Sequence, residues 1–144
     1  VIRHAGLIAR RLGGRWLGAL IEGPSGAGKS DLALRAIDQG FRLVADDRVV
    51  LWSSGGRLFG RAPDTLRGLI EVRGLDVMQA EALPLAEVGL VVRLGTPERI
   101  PDPAHEHILG LSVPLLTTEG FEESAPAKLG RALVAFDAAH NRRI

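Results

Sequence analysis

The chain has 144 residues, 46% of them hydrophobic, no cysteine, and a formal net charge of +1 from 18 basic and 17 acidic side chains. That size and apolar content support one domain with a real core, while the near-balanced charge argues against nucleic acid or an anionic membrane as a partner. Without cysteine there is no disulfide framework or thiolate zinc site, and without a long apolar run or signal-peptide core the expectation is a soluble cytoplasmic protein, one domain over residues 1–144.

Residues 4–10, "HAGLIAR", and 16–22, "WLGALIE", are short apolar runs about Gly13-Gly14, which predicts two strands joined by a tight turn. From Ser30 to Gln39 the spacing of Leu32, Ala33, Ala36 and Ile37 predicts a helix, with Gly40 as its stop. "FRLVA", residues 41–45, reads as the next strand. Strand, loop, helix and strand should form a right-handed crossover with the two strands parallel and adjacent. Gly23 and Asp46 then both fall at C-terminal strand ends, where open α/β sheets bind ligands.

"VVLWSSGGRLFGRA", residues 49–62, predicts an antiparallel hairpin about Gly55-Gly56, so the sheet is expected to be mixed. "EVGLVVRL" is a further strand, and the three prolines of residues 95–107 predict an exposed mobile loop. "ILGLSVPLL" is read as the last strand despite Pro114, and residues 125–140 as a closing amphipathic helix with its proline near the start.

Gly23, Gly28, Lys29 and Ser30 have P-loop spacing, between a predicted strand and a predicted helix. Glycines are needed there because main-chain N–H groups must close around phosphate oxygens, where side chains would clash. Lys29 can reach the β- and γ-phosphates and the Ser30 hydroxyl can ligate Mg²⁺. Lys29 is one of only two lysines, the other being Lys128.

Asp46 and Asp47 follow the strand after the loop, a position from which a carboxylate reaches a metal or an attacking group. Two close carboxylates resist simultaneous ionisation unless a cation compensates, so one of the pair could accept the proton of a hydroxyl nucleophile. On its own such a pair is more often a solvated turn; the P-loop tips the balance toward function. Glu71 and Arg73 alternate in "LIEVRG", on one strand face, as a surface ion pair or as site residues. His4 is a structural or an active-site histidine, His105 and His107 are expected in solvent, and Arg99 could clamp a phosphate, although sixteen of the 18 basic residues are arginines.

With these residues in view, "GPSGAGKSDLAL", "GFRLVADDRVVL" and "LIEVRGLDVM" resemble the P-loop, acidic pair and signature segment of the HPr kinase/phosphorylase family, in order, over about His4 to Met78. The resemblance implies an α/β fold with a P-loop and a mixed β-sheet, akin to phosphoenolpyruvate carboxykinase. It implies a protein-serine kinase that uses ATP and Mg²⁺ and whose acceptor is the phosphocarrier protein HPr of the sugar phosphotransferase system. Gly23, Pro24, Ser25, Gly26, Ala27, Gly28, Lys29 and Ser30 would cradle ATP, Ser30 and Glu71 would ligate Mg²⁺, and Asp47 would be the general base. Asp46, His4 in "HAG" and Arg99 in "PERIP" would join the active site, and residues 70–79 the catalytic signature.

Longer members of the family carry an N-terminal domain, and an arginine-containing loop that supports dephosphorylation by inorganic phosphate. The corresponding stretch here, "VPLLTTEGFEESAPAK", is acidic and has no arginine, which predicts a kinase with reduced or absent phosphorylase activity. The chain resembles a short form of the family, and a homo-oligomer is left open. Two other functions fit the loop: a P-loop kinase for a small metabolite, against which the Gly55-Gly56 hairpin argues, and a nucleotide-binding regulatory module without turnover.

Overall fold

The computed structural model describes residues 1–142. The chain opens with β1 (Ile2–His4), β2 (Gly6–Leu12) and β3 (Arg15–Glu22). The last two form the expected hairpin, paired from Gly6↔Ile21 to Leu12↔Arg15. His4 is not part of it: it ends β1, which pairs instead with a later strand. The phosphate-loop sequence leads into α1 (Lys29–Ile37) and then β4 (Arg42–Ala45).

The crossover differs from expectation in one respect. β2 lies between β3 and β4, antiparallel to both, with Ile8 opposite Ala19 on one side and Leu43 on the other. β3 and β4 therefore run parallel but one strand apart. The short turn keeps β2 beside β3, and α1 passes over β2 to reach β4. The C-terminal ends of β3 and β4 still open at the same end of the sheet.

β5 (Arg48–Ser54) and β6 (Arg57–Arg61) form the second predicted hairpin, and β5 also receives β1. A short 3-10 turn at Asp64–Leu66 leads to β7 (Leu69–Val72) and β8 (Asp76–Gln79), which make a separate two-stranded sheet. Arg73 lies in the turn between them, so Glu71 and Arg73 do not share a strand face. β9 (Ala86–Leu94) is parallel to β3 and is followed by β10 (Ala104–Ile108), β11 (Leu111–Thr118) and α2 (Ala125–Arg142).

The proline-rich loop is shorter than expected. It ends at Pro103, and His105 and His107 sit on β10, exposed, opposite Pro114 and Ser112 of β11. What reads as one strand through residues 108–116 is divided by the Leu109-Gly110 turn. Pro114 is tolerated because the parallel ladder from β11 to β9 begins only at Leu115↔Val91.

The main sheet runs β1-β5-β6-β9-β3-β2-β4, with β11 against the second half of β9 and β10 beyond it. It is mixed, as predicted. Alternation along the strands buries both faces. Ile8, Ile21, Leu43 and Val92 pack under Leu32 and Ala36 of α1 and Leu129 and Leu133 of α2. Leu7, Leu20, Val44 and Val91 face Val49, Leu51, Ile108 and Val113. No helix of the described residues is long and apolar enough to cross a membrane.

Leu129 is fully buried, whereas Val134 on the same helix is 52% exposed. Leu129→Ala is expected to cost about 2–5 kcal/mol in chemical denaturation, and Val134→Ala less than about 0.5 kcal/mol. Equal effects would contradict the packing of α2 described above.

Candidate active site

β3 delivers the chain to the loop Gly23–Gly28, and α1 leaves from it. Gly26 and Gly28 have φ of +83° and +99°, left-handed backbone that L side chains rarely adopt. Ala27 N–H bonds Pro24 O at 3.1 Å, and Leu32 N–H bonds Gly28 O at 2.8 Å to open the helix. The amides of the first helical turn are thus left without intrahelical acceptors, beside the positive end of the helix dipole. Lys29 Nζ donates to Gly23 O at 2.6 Å and Pro24 O at 3.2 Å, which holds its ammonium over the loop.

Asp46 is the junction. Its carboxylate accepts the Ser30 hydroxyl, with Oγ 2.9 and 3.1 Å from the two oxygens, and the Glu71 amide at 3.0 Å. At 6% exposed it is one of the few polar groups inside the fold. Asp47 goes the other way: its side chain is 67% exposed, with Arg48 Nε at 3.7 Å. The aspartates therefore occupy different environments.

Backbone geometry produces that split. Asp47 has φ of +71°, and the turn is closed by Arg48 N–H to Asp46 O at 2.9 Å. Aspartate tolerates this left-handed conformation better than most residues. The Asp47 carbonyl accepts the Ala5 amide at 3.1 Å, which brings His4 next to the turn, exposed at the end of β1 and opposite Arg48. Arg3 anchors that strand through Glu22 at 2.6 Å and Glu106 at 2.7 Å. Burial opposes its charge, but the hydrogen bonds to Glu106 and Glu22 outweigh this and raise its pKa above the ordinary arginine value.

Lys29, Ser30, Asp46, Asp47, His4 and Glu71 are thus gathered by hydrogen bonds and chain adjacency. The Glu71 side chain is exposed where its own amide meets Asp46. Arg99 is different: it lies on the exposed segment 95–103, and among the described residues it makes no hydrogen bond or ion pair with another side chain. The Ser30 hydroxyl and Asp46 carboxylate are hard oxygen donors suited to Mg²⁺. No cluster of three or more His, Cys, Asp or Glu occurs among the described residues.

One part of the site has no sequence signature. The stretch from Glu119 to Ser124, between β11 and α2, covers the loop: Gly120 packs on the Ala27 carbonyl and the Phe121 ring on Gly28. Arg35 pins it, donating to the carbonyls of Glu122, at 3.0 Å, and Gly120, and to Asp31 at 2.9 Å. The Asp31–Arg35 spacing marks a helical ion pair, but nothing in the sequence points either residue at this stretch. A hydrogen bond from Lys128, at 2.7 Å, holds the Glu122 carboxyl below its ordinary pKa. Away from this site, a cavity of about 420 Å³ beside β3, β6 and β9 is lined by Arg15, Arg57 and Glu87, with both arginines already paired to Glu87.

Residues 14–84, which hold the loop, the acidic pair and the β7–β8 hairpin, match the family model described as HPr Serine kinase C-terminal domain. The structure of the Hpr(Ser) kinase/phosphatase from Coxiella burnetii superposes with a TM-score of 0.79 at 27% identity, over 99% of this chain and 99% of that one. The chain belongs to the HPr kinase/phosphorylase family. The HPr kinase/phosphorylase of Limosilactobacillus reuteri (strain DSM 20016) is 36% identical over 140 residues, 88% of this chain and 43% of the relative. That of Clostridium perfringens (strain SM101 / Type A) is 46% identical over 67 residues, 46% of this chain and 22% of the relative. The chain thus spans less than half the length of the curated HPr kinase/phosphorylases it matches. The expected fold, a mixed α/β sheet with a P-loop akin to phosphoenolpyruvate carboxykinase, is that of the family.

The turn conformation of Asp47 yields a stability test. Asp47→Asn should change unfolding free energy by less than about 0.5 kcal/mol, since asparagine accepts the same backbone, while Asp47→Val should lose about 1–2 kcal/mol. Thermal and urea unfolding of both variants would measure this.

Proposed function

We propose that this chain is the P-loop catalytic domain, over residues 1–144, of an ATP- and Mg²⁺-dependent protein-serine kinase whose acceptor is an HPr-type phosphocarrier protein. The observation that carries it is the Ser30–Asp46 hydrogen bond of 2.9 Å, which sets a phosphate-binding helix terminus beside an acidic turn whose second aspartate faces solvent. The work with a cytosolic phosphocarrier fits a cytoplasmic site of action.

In this reading the amides of Gly23 to Ser30 grip the triphosphate, and Lys29 exchanges its contacts with Gly23 O and Pro24 O for the β- and γ-phosphates. Ser30 and Glu71, with the Asp46 carboxylate between them, would hold Mg²⁺. The bound ion would neutralise phosphate charge and polarise the transferring group. Asp47 takes the proton of the incoming serine hydroxyl: it is exposed, and so within reach of a protein substrate, whereas Asp46 is engaged by two donors. His4 flanks Asp47 and helps receive the acceptor. Arg99 has no assigned role.

Dephosphorylation by inorganic phosphate needs that phosphate bound beside phosphoserine, where it takes the phosphoryl group to become pyrophosphate, and that needs cationic donors. The stretch over the loop carries Glu119, Glu122 and Glu123 instead, and its one lysine neighbour, Lys128, is paired with Glu122. This supports a kinase with weak phosphorylase activity. A small-metabolite kinase with an all-parallel sheet is not favoured, because the sheet here is mixed.

Incubation with ATP, Mg²⁺ and HPr should produce phosphoserine on HPr, detected by mass spectrometry. No transfer to any of several phosphocarrier homologues would overturn the assignment. Lys29→Ala should abolish transfer, and Asp47→Asn should keep ATP binding while lowering kcat about 10²–10⁴-fold. ATP binding without turnover, unaltered by Asp47→Asn, would mark a regulatory module instead. Inorganic phosphate added to phosphorylated HPr should yield pyrophosphate and free HPr much more slowly than the forward reaction consumes ATP.

A further inference from the structure

The proposed triphosphate site leaves the nucleoside end without a partner. Asp46 and Asp47 stand on the β4 side of the loop, joined to it through Ser30. The reacting phosphate belongs on that side, so the nucleoside must leave on the opposite one, toward β9 and β11. There the chain presents Glu119–Ser124, the stretch clamped by Arg35.

Phe121 stands out on it. The ring is 58% exposed and lies outside both apolar cores, in a chain with only four phenylalanines, two tryptophans and no tyrosine. Its outer edge rests on the loop itself: a Cβ built on Gly28 would lie 3.1 Å from Cε1 and Cζ and 3.3 Å from Cε2. Burial in the fold therefore does not account for an aromatic ring at this position, while a flat ligand leaving the loop would meet it.

We propose that Phe121 is the platform on which the base of the nucleotide stacks, a nucleobase subsite completed by the stretch between β11 and α2. The idea rests on the ATP-binding reading above. Bases stack on aromatic side chains because every base presents a π-face, and a ring held on a clamped stretch loses little freedom when it does so. Gly28 then has two functions: its left-handed backbone turns the loop, and its missing side chain lets the ring come to the phosphate end of the site.

The test compares binding of MgATP with that of magnesium tripolyphosphate, which has no base, in the wild-type protein, Phe121→Ala and Phe121→Trp. Phe121→Ala should weaken MgATP about tenfold and leave tripolyphosphate within about twofold, and Phe121→Trp should retain MgATP affinity. Equal weakening of both ligands, or undiminished MgATP binding, overturns the base subsite and leaves the phosphate loop intact as a reading. Wild-type protein that binds neither ligand overturns the ATP site and the subsite together.

Discussion

The Asp46 carboxylate accepts the Ser30 hydroxyl from the first turn of α1 and the Glu71 amide from the β7–β8 hairpin. These contacts span 16 and 25 residues of sequence, so one buried side chain fixes the phosphate loop, the acidic turn and the signature hairpin relative to each other. A buried carboxylate is tolerable only when its oxygens are satisfied, and here both are. The same oxygens would suit a hard divalent cation, so the arrangement that orders the loop is also compatible with the Mg²⁺ proposed there.

The neighbouring aspartate is placed by the same turn under the opposite condition. Asp47 itself takes the left-handed conformation, and its side chain is left in solvent beside the end of β1. Such a conformation has a small energetic cost and persists because the surroundings over-determine it: the Ala5 amide, the Asp46 carbonyl and β5 all bind this turn. An exposed carboxylate is open to a folded acceptor in a way that a buried one is not, which fits the role proposed for Asp47.

Charge around the loop is equally uneven. Lys29 is the cation on the loop itself, whereas Arg35 is committed to the stretch after β11 and Arg3 to Glu22 and Glu106. That stretch brings glutamates and an aromatic ring rather than guanidinium groups. Such a surface suits a nucleotide better than a second free phosphate, which links the proposed base subsite to the expected weakness of phosphorolysis.

The sequence alone determined the parts whose physics is local. P-loop spacing, the Gly13-Gly14 and Gly55-Gly56 turns and the apolar periodicity of residues 30–39 each depend on backbone freedom or on a repeat a few residues long, and all are present in the fold. The resemblance to a known family also lay in such contiguous stretches. Only the tertiary structure decided what depends on partners distant in the chain. It put β2 between β3 and β4, because sheet order is set by which edge is already occupied. It moved His105 and His107 onto a strand, because β10 takes its conformation from β11 rather than from its own proline-flanked sequence. It also sent Asp46 inward and Asp47 outward, and laid Phe121 on Gly28, since neither a burial direction nor a contact across 93 positions of chain leaves a local trace in the residues themselves.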